Sequence, residues 1–256
     1  MKYYEQLLRL EVFSLNDVAV MLNSKNNAKV LLQRYLNKGY IKKAKRNLYV
    51  CVSLGNRNST ANRFVIGSNI NDSAYISHHS ALEYYGFANQ TFFEVFVASD
   101  KRFNQFEFED ITYRYVKSSI NKGVVHPETN SKIRITDLER TIIDCIKNID
   151  LAGGTEELFQ CLDMVNTLNN DRLCEYLEEY NLQFLYQKAG FIFERYKSEY
   201  GIKDELLASC LEKVSDSIRY FDNDTKEDKG TYLKKWQLIV PRNIEGYFNQ
   251  GVNELV

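Results

Sequence analysis

The sequence predicts an α+β protein in which a winged helix-turn-helix precedes a mixed α/β region that becomes largely helical. Two amphipathic helical patterns, broken after Leu22, occupy residues 14–38. A short basic hairpin pattern follows over residues 40–52. The rest of the chain alternates strand-like and helical segments before turning mainly helical. These observations predict one domain over residues 1–55 and a second over 56–256, mixed over 70–150 and mainly helical over 155–256.

The first of the two helices carries a clear start signal. Ser14 can accept hydrogen bonds from the first free amides, and Asp17, three residues later, can return the contact in a capping box. Phe13 can pack against Val18 across the start of the helix. The buried face predicted from helical spacing consists of Leu15, Val18, Ala19 and Leu22.

The second helix runs to about Lys38 and ends at Gly39, which suits the left-handed conformation that often closes a helix. Its apolar residues recur at helical spacing, and its other faces are polar and basic. Residues 40–43 and 48–52 favour strands, and residues 44–47 favour a turn between them. Two helices with so short a connection, followed by a hairpin, are typical of a winged helix-turn-helix.

Charge in this segment is strongly uneven. Residues 23–52 contain eight Lys and Arg and no Asp or Glu, whereas the whole chain has a formal net charge of −1. A phosphate backbone favours such a surface because each neutralised phosphate releases condensed counterions. The alternative is a basic helical hairpin that binds an acidic partner protein.

Outward-facing residues of the second helix are the candidates for contacts with DNA. Those predicted to reach base edges in the major groove are Asn26, Lys29, Gln33 and Asn37. Asn and Gln suit adenine edges, which favours half-sites that contain A·T pairs. Those predicted to hold phosphates or to reach a minor groove are Lys25, Arg34, Lys38, Lys43, Lys45, Arg46 and Asn47.

The remaining chain alternates elements. Residues 53–60 form a polar linker pattern, and residues 74–77 favour a strand that leads into a helix ended by Gly86. Strands are predicted over 92–98, 111–117, 132–135 and 235–240. Thr136 and Glu139 are spaced as a capping box for another helix. Further helices are predicted near 155–168, 171–180, 184–198 and 203–220, with a charged loop over 222–230.

Composition is that of an ordinary globular protein, with 44% hydrophobic and 26% charged residues. No apolar run is long enough to span a membrane, and the N-terminus lacks a signal-peptide core, so we expect a cytoplasmic protein with no membrane contact. The five cysteines are widely spaced, which predicts reduced core thiols rather than a disulfide framework or zinc knuckle.

Signatures of catalysis are weak. His78 and His79 are adjacent at a predicted helix start, where their side chains would diverge by about 100° and could not easily share a metal. Asp137, Glu139 and Asp144 fit helix-capping and surface-pairing positions. The sequence has no Gly-rich phosphate loop, nucleophile elbow or metalloprotease helix. We therefore predict no enzyme, no catalytic residue, no metal and no cofactor. A metal-dependent nuclease or transferase stays as an alternative.

Two segments, taken with the predicted N-terminal domain, resemble a known family. They are AYISHHSALEYYG at residues 74–86 and ITDLERTIIDC at residues 135–145, followed by Gly153-Gly154 before an acidic helix start. Their order and spacing, together with the late strand around Trp236, resemble the AbiEi antitoxins of type IV toxin–antitoxin systems, which serve in abortive phage infection.

The resemblance implies a transcriptional autorepressor that binds inverted repeats in its own double-stranded promoter DNA. It also implies that the C-terminal region counters a nucleotidyltransferase-like toxin, directly or indirectly. A ligand-responsive repressor without any toxin is a second possibility, since a large aromatic domain can hold an effector pocket.

Overall fold

The computed structural model describes residues 3–228 and 230–248. The chain divides into two compact units. The first comprises Met1–Ile76, Phe92–Ser118 and Val125–Ile135, and the second comprises Ser77–Thr91, Ser119–Val124 and Thr136–Val256. The predicted boundary between residues 55 and 56 falls inside the first unit. The end of the predicted second domain, residues 249–256, lies outside the described residues.

The architecture mixes helices and strands, consistent with the predicted α+β class. In chain order, the first half contains α1 (Tyr4–Leu10), β1 (Val12–Phe13), α2 (Leu15–Leu22), α3 (Lys25–Asn37), β2 (Ile41–Lys45), β3 (Leu48–Cys51), α4 (Arg63–Ser68), β4 (Tyr75–Ile76), α5 (His78–Tyr85), β5 (Glu94–Ser99), β6 (Phe106–Phe108), β7 (Ile111–Lys117), β8 (Val124–Val125) and β9 (Ile135–Thr136).

The second half is mainly helical. It contains α6 (Leu138–Lys147), a 3-10 turn (Ile149–Ala152), α7 (Thr155–Asp163), α8 (Asn170–Tyr180), α9 (Gln183–Arg195), α10 (Lys197–Tyr200), α11 (Asp204–Glu212), β10 (Arg219–Tyr220), α12 (Asn223–Asp228), β11 (Thr231–Leu233), β12 (Leu238–Val240) and α13 (Ile244–Tyr247).

In the first unit, α1, α2 and α3 pack together with a small antiparallel sheet of order β1-β3-β2. Leu7, Val18 and Ile41 are fully or almost fully buried in their shared core. The predicted capping box of α2 is confirmed, because Ser14 Oγ accepts from the amide of Asp17 at 3.3 Å while Asp17 Oδ2 accepts from the amide of Ser14 at 2.6 Å. Local capping and a narrow apolar face therefore fix where α2 begins and how it packs.

A second, mixed sheet has the order β6-β7-β5-β4-β9-β8. Strands β5 and β7 are parallel, whereas β4 pairs with β5 and β6 pairs with β7 in antiparallel fashion. Helix α4 lies close to this sheet at Gly67, where an added Cβ would come within 2.7 Å of Ile76 Cδ1 and 3.1 Å of Val97 Cγ2. An alanine there would force the Ile76 side chain to move, so glycine lets α4 approach the strands closely.

The second unit is built around one large apolar core contributed by most of its helices. Trp236, 2% exposed, packs against Gly190 of α9 and donates from Nε1 to Glu194 Oε2 at 2.8 Å. A small sheet of order β10-β12-β11 completes the unit, with β10 parallel and β11 antiparallel to β12.

Three sequence predictions in the second unit are wrong. The helix predicted over residues 203–220 ends at Glu212, and Arg219–Tyr220 form β10 instead. The N-cap of α6 is Asp137, whose Oδ1 accepts from the amide of Arg140 at 2.9 Å, and not Thr136, whose hydroxyl instead bonds that of Thr141 at 2.7 Å. The predicted charged loop over residues 222–230 contains α12, although Lys229 lies outside the described residues.

All five cysteines are free, and only Cys174 among them is partly exposed. Within residues 3–228 and 230–248, every helix is too short or too polar to cross a lipid bilayer.

Candidate nucleic-acid interface

Helix α3 is held firmly at both ends. The preceding Asn23 adopts a left-handed conformation with φ 49°, which turns the chain, and Ser24 Oγ then accepts from the amide of Asn27 at 3.3 Å. At the other end Gly39 has φ 67°, and the amide of Tyr40 donates to the carbonyl of Tyr35 at 2.9 Å. The turn between α2 and α3 is therefore short and specified by local side chains.

One line of side chains runs along the outward face of α3. Asn26, Val30, Gln33 and Asn37 are spaced by four, three and four residues, so at 100° per residue they fall within about 60° of one another. All four are exposed, and Val30 is 67% exposed although it is apolar. The opposite side of α3 is buried through Ala28, Leu31, Leu32 and Tyr35. Val30 was not among the residues predicted to contact DNA, although its helical spacing alone places it on this line.

Two amides of this line are already paired. Gln33 Nε2 donates to Asn37 Oδ1 at 3.0 Å. The bond leaves Gln33 Oε1 as an acceptor and Asn37 Nδ2 as a donor, and it restricts both side chains before any partner arrives. An adenine edge requires one donor and one acceptor, so the pair presents complementary groups at one place on the helix.

Cations border this line on both sides. Lys29, Arg34 and Lys38 share a shallow depression with Val30, Gln33 and Asn37. Within the described part of the chain, no acidic side chain forms an ion pair with any of the exposed cations predicted at the interface, which are Lys25, Lys29, Arg34, Lys38, Lys43 and Arg46. Their charges remain available to a polyanion.

The cations of the β2–β3 hairpin, which follows α3, are not all available to a polyanion. Lys45 is half-buried, and its Nζ lies 4.4 Å from the centroid of the Phe103 ring and 5.1 Å from that of Phe106. Burial lowers the pKa of Lys45 from its ordinary value. Lys42 pairs with Glu109. Lys42 and Lys45 are thus engaged within the protein, whereas Arg34 of α3 is exposed although its guanidinium carbon lies 5.7 Å from the Tyr35 ring centroid.

Asn47 has a structural role as well as an exposed position. It occupies the second position of the two-residue turn between β2 and β3 with φ 62°, a conformation that Asn tolerates better than most residues. Its Oδ1 also accepts from the amide of Leu15 at 3.0 Å, which ties the hairpin to the start of α2.

A separate polar cluster lies in the second unit and contains both adjacent histidines. His78 is 4% exposed, has φ 53°, and places Nδ1 2.9 Å from Ser77 Oγ. Ser77, the residue before α5, makes no side-chain capping hydrogen bond to the helix. His79 turns elsewhere and bonds Glu157 Oε1 through Nε2 at 2.9 Å. The two rings diverge, as their adjacency on a helix predicts.

The structure brings His79 together with Glu157 and Cys161, with ligand atoms within 4.8 Å of one another. Glu157 Oε1 accepts from the amides of Asn89 and Gln90 at 3.1 and 3.0 Å and from the Cys161 thiol at 3.4 Å. Burial raises the pKa of Cys161 to about 12, so sulfur stays protonated. Through these hydrogen bonds Glu157 joins α5, α7 and the segment after α5, and a metal ion bound here would have to displace the Cys161 proton.

Burial of neutral His78 makes stability depend on pH. Desolvation lowers the pKa of His78 from 6.5 to about 4. The negative charge of Asp144 opposes this shift, whereas the positive charges of Lys147 and Arg140 act in the same direction as desolvation. The unfolded chain binds the proton more readily, so stability is full above pH 6.5 and falls as the pH drops towards 4, by about 3 kcal/mol. We expect His78→Asn, which tolerates the positive φ, to flatten this decline in urea unfolding followed by Trp236 fluorescence. If the free energy of unfolding of the wild type and of His78→Asn fell equally with pH, this prediction would be wrong.

The carboxylates considered for catalysis are all engaged structurally. Asp137 caps α6 and accepts from Tyr176 at 2.5 Å, and Glu139 Oε1 accepts from the amide of Asn169 at 2.9 Å. Asp144 pairs with Arg140 as the spacing predicted, but both side chains are buried rather than on the helix surface. Burial raises the pKa of Asp137, while its hydrogen bonds oppose that shift. These contacts stabilise α6 and its neighbours.

Comparison with known proteins supports the fold and leaves the function open. The chain resembles the crystal structure of the RV2827C protein from Mycobacterium tuberculosis, with a TM-score of 0.64 and 11% sequence identity over 93% of this chain and 89% of that one. No protein-family model and no curated protein matches the sequence. At this identity the likeness concerns the fold alone.

Proposed function

We propose that this protein binds double-stranded DNA through α3, as a winged helix-turn-helix whose wing is the β2–β3 hairpin. The observation that carries the proposal is the outward face of α3. It is exposed, free of acidic residues, bordered by unpaired cations, and lined by amide side chains. Phosphate contacts would supply affinity and orientation, and the amides would read base edges.

Val30 adds a contact of a different kind to this proposal. It lies between Asn26 and Gln33 on the same line and is 67% exposed. An isolated apolar side chain at the centre of a major-groove surface suits the C5-methyl group of thymine. Together with the amides, Val30 favours operator half-sites that contain A·T pairs.

The finer part of the proposal is that the protein is an antitoxin that represses its own promoter. Its support is the resemblance of residues 74–86 and 135–145 to AbiEi antitoxins, which also implies binding to inverted repeats. The expected partner is a nucleotidyltransferase-like toxin encoded beside it. Co-expression with the neighbouring gene product should rescue growth if the antitoxin role is right, and unrelieved toxicity would contradict that role.

Binding to the protein's own upstream DNA tests the repressor role. Gel shifts should be run at two salt concentrations with unrelated DNA as competitor. We expect a specific complex that survives the competitor and weakens steeply as salt rises. Equal affinity for unrelated DNA would instead favour the basic surface as a site for an acidic partner protein.

The cations of the β2–β3 hairpin should differ in their contribution to DNA binding. Lys43→Ala and Arg46→Ala should each weaken binding to all sequences and reduce the slope of log K against log salt by about 0.9, because each removes a phosphate contact. Lys45→Ala is the matched comparison. Its ammonium lies over Phe103 and Phe106, so we expect little change in slope. Salt-dependent gel shifts measure all three. A slope reduced only by Lys45→Ala would reverse this assignment.

A further inference from the structure

A pocket in the second unit, lined by no residue of α3, combines three lysines with one aromatic side chain. It has a volume of about 350 Å³ and lies where the end of α6, the 3-10 turn, α9, β10 and α12 meet. Its cationic residues are Lys147, Lys188 and Lys226, and Tyr220 lies at the same opening.

Lys188 is the unusual member. It is only 8% exposed, and its Nζ lies 5.6 and 5.9 Å from the ring centroids of Phe184 and Phe221. Across residues 3–228 and 230–248, no group accepts a hydrogen bond from it and no carboxylate lies within ion-pairing distance. Lys188 lines the pocket, so its ammonium group is available to pair with an anion that enters.

The acidic residues nearby already have hydrogen-bond donors. Asp222 accepts from the amide of Thr225 at 2.7 Å and from the hydroxyls of Thr225 and Thr155, and Asp150 accepts from Asn223 at 3.2 Å. Both charges favour the protonated form of Lys188, but burial dominates and lowers its pKa to about 8. With three lysines and two engaged carboxylates, the pocket has a formal charge of +1. The ammonium groups of Lys147 and Lys188 lie 5.1 and 5.6 Å from the ring centroids of Tyr180 and Phe184, and these ring contacts leave their N–H donors able to bond an anion.

We propose that this pocket binds the phosphate group of a small phosphorylated molecule, with Lys188 as its buried anchor. Lys147 and Lys226 would contact the outer oxygens, since a phosphate dianion accepts several charged donors at once. The side chains of Asn148 and Asn223 line the same space and can donate. Tyr220, 41% exposed, offers a face for the organic part of the ligand. The volume is at the lower end for small-molecule sites, which favours a mononucleotide or smaller phosphate ester.

Direct titration of the full chain tests the site. The probes are inorganic phosphate and AMP, and the controls are sodium chloride of equal ionic strength and adenosine. Binding is measured by calorimetry and by the change in the unfolding midpoint, which Trp236 fluorescence reports. Phosphate and AMP should bind and raise the midpoint, whereas chloride and adenosine should not. Lys188→Met should weaken phosphate binding at least about tenfold, the effect of losing one charge-assisted hydrogen bond. The matched control Lys213→Met removes an exposed lysine outside the pocket and should bind as the wild type does.

Lys226→Met provides a second variant whose exposed position removes concern about folding. It should weaken phosphate binding several-fold. Binding of phosphate no stronger than chloride, or undiminished binding by either pocket variant, would overturn the proposal. DNA binding distinguishes the source of the phosphate. Lys188→Met should leave gel shifts unchanged, and a parallel loss of DNA affinity would assign the pocket to the nucleic-acid backbone instead. The titration with phosphate and AMP does not depend on whether α3 binds DNA.

Discussion

Replacement of Arg140 by Met should lower the free energy of unfolding of the second unit by about 3–5 kcal/mol, the cost of leaving a buried charge without its partner. Arg140 is 1% exposed and donates from Nε to Asp144 Oδ1 at 2.8 Å. Its Nη1 also donates to the carbonyl of Lys122 at 2.6 Å and to that of Ile120 at 3.3 Å. The substitution would leave Asp144 with Tyr180 as its hydroxyl donor and would release both carbonyls. The loss is a large share of the stability of an ordinary domain.

Urea unfolding followed by fluorescence measures this effect cleanly. Trp236 is the single tryptophan of the chain and is buried in the second unit, so its signal reports that unit. Arg172→Met is the matched control. Arg172 is about half exposed and lies 3.6 Å from carboxylate oxygens of Asp137 and Glu139, so its loss should cost at most about 1 kcal/mol. Equal destabilisation by both variants would refute the special role of the buried pair.

Local signals predicted several elements accurately. The boundaries of α5 and β7 agree with the predicted helix before Gly86 and the predicted strand over residues 111–117. Ser14 and Asp17 start α2 as predicted, and Gly39 adopts the expected positive φ. These elements depend on caps, turns and periodicity within a few residues of each other, which is information that a single sequence contains.

The missed features depend on residues far apart in the chain. β1 has two residues and exists through its pairing with β3, so no periodic pattern marks it. Arg140 and Asp144 have the spacing of a surface pair, and their burial results from packing against residues 120–122 and Tyr180. Tertiary contacts decide such cases and leave little trace in local propensity.

In the candidate DNA-binding site, too, the features set by local sequence were predictable and those set by distant residues were not. The exposed face of α3, including Val30, was predictable from helical spacing and charge. The position of Lys45 over Phe103 and Phe106 was not predictable, because those rings come from a segment nearly sixty residues later. The pocket around Lys188 likewise contains residues of α6, α9 and α12, which lie far apart in the chain, so no local sequence motif predicts it.

Gln33→Ala should reduce binding to the protein's own operator by about 1–3 kcal/mol while leaving binding to unrelated DNA nearly unchanged. The reason is that Gln33 carries no charge and lies on the central line of α3, where it would contribute to base reading rather than to phosphate contact. Its bond to Asn37 Oδ1 adds a second effect. In the Gln33→Ala variant, Asn37 loses the hydrogen bond that restricts its side chain. We therefore expect the two amide side chains to contribute to operator affinity as one unit.

A double-mutant cycle tests that coupling. Gln33→Ala and Asn37→Ala should each cost operator affinity, and the double variant should cost clearly less than their sum, because either change disrupts the same pair. Gln6→Ala is the matched control, since Gln6 is an exposed amide on α1 outside the proposed interface and should change nothing. Quantitative gel shifts on operator and unrelated DNA provide the four affinities. Equal loss on both DNAs would mean that Gln33 only positions the helix, and strict additivity would mean that the two amides act separately.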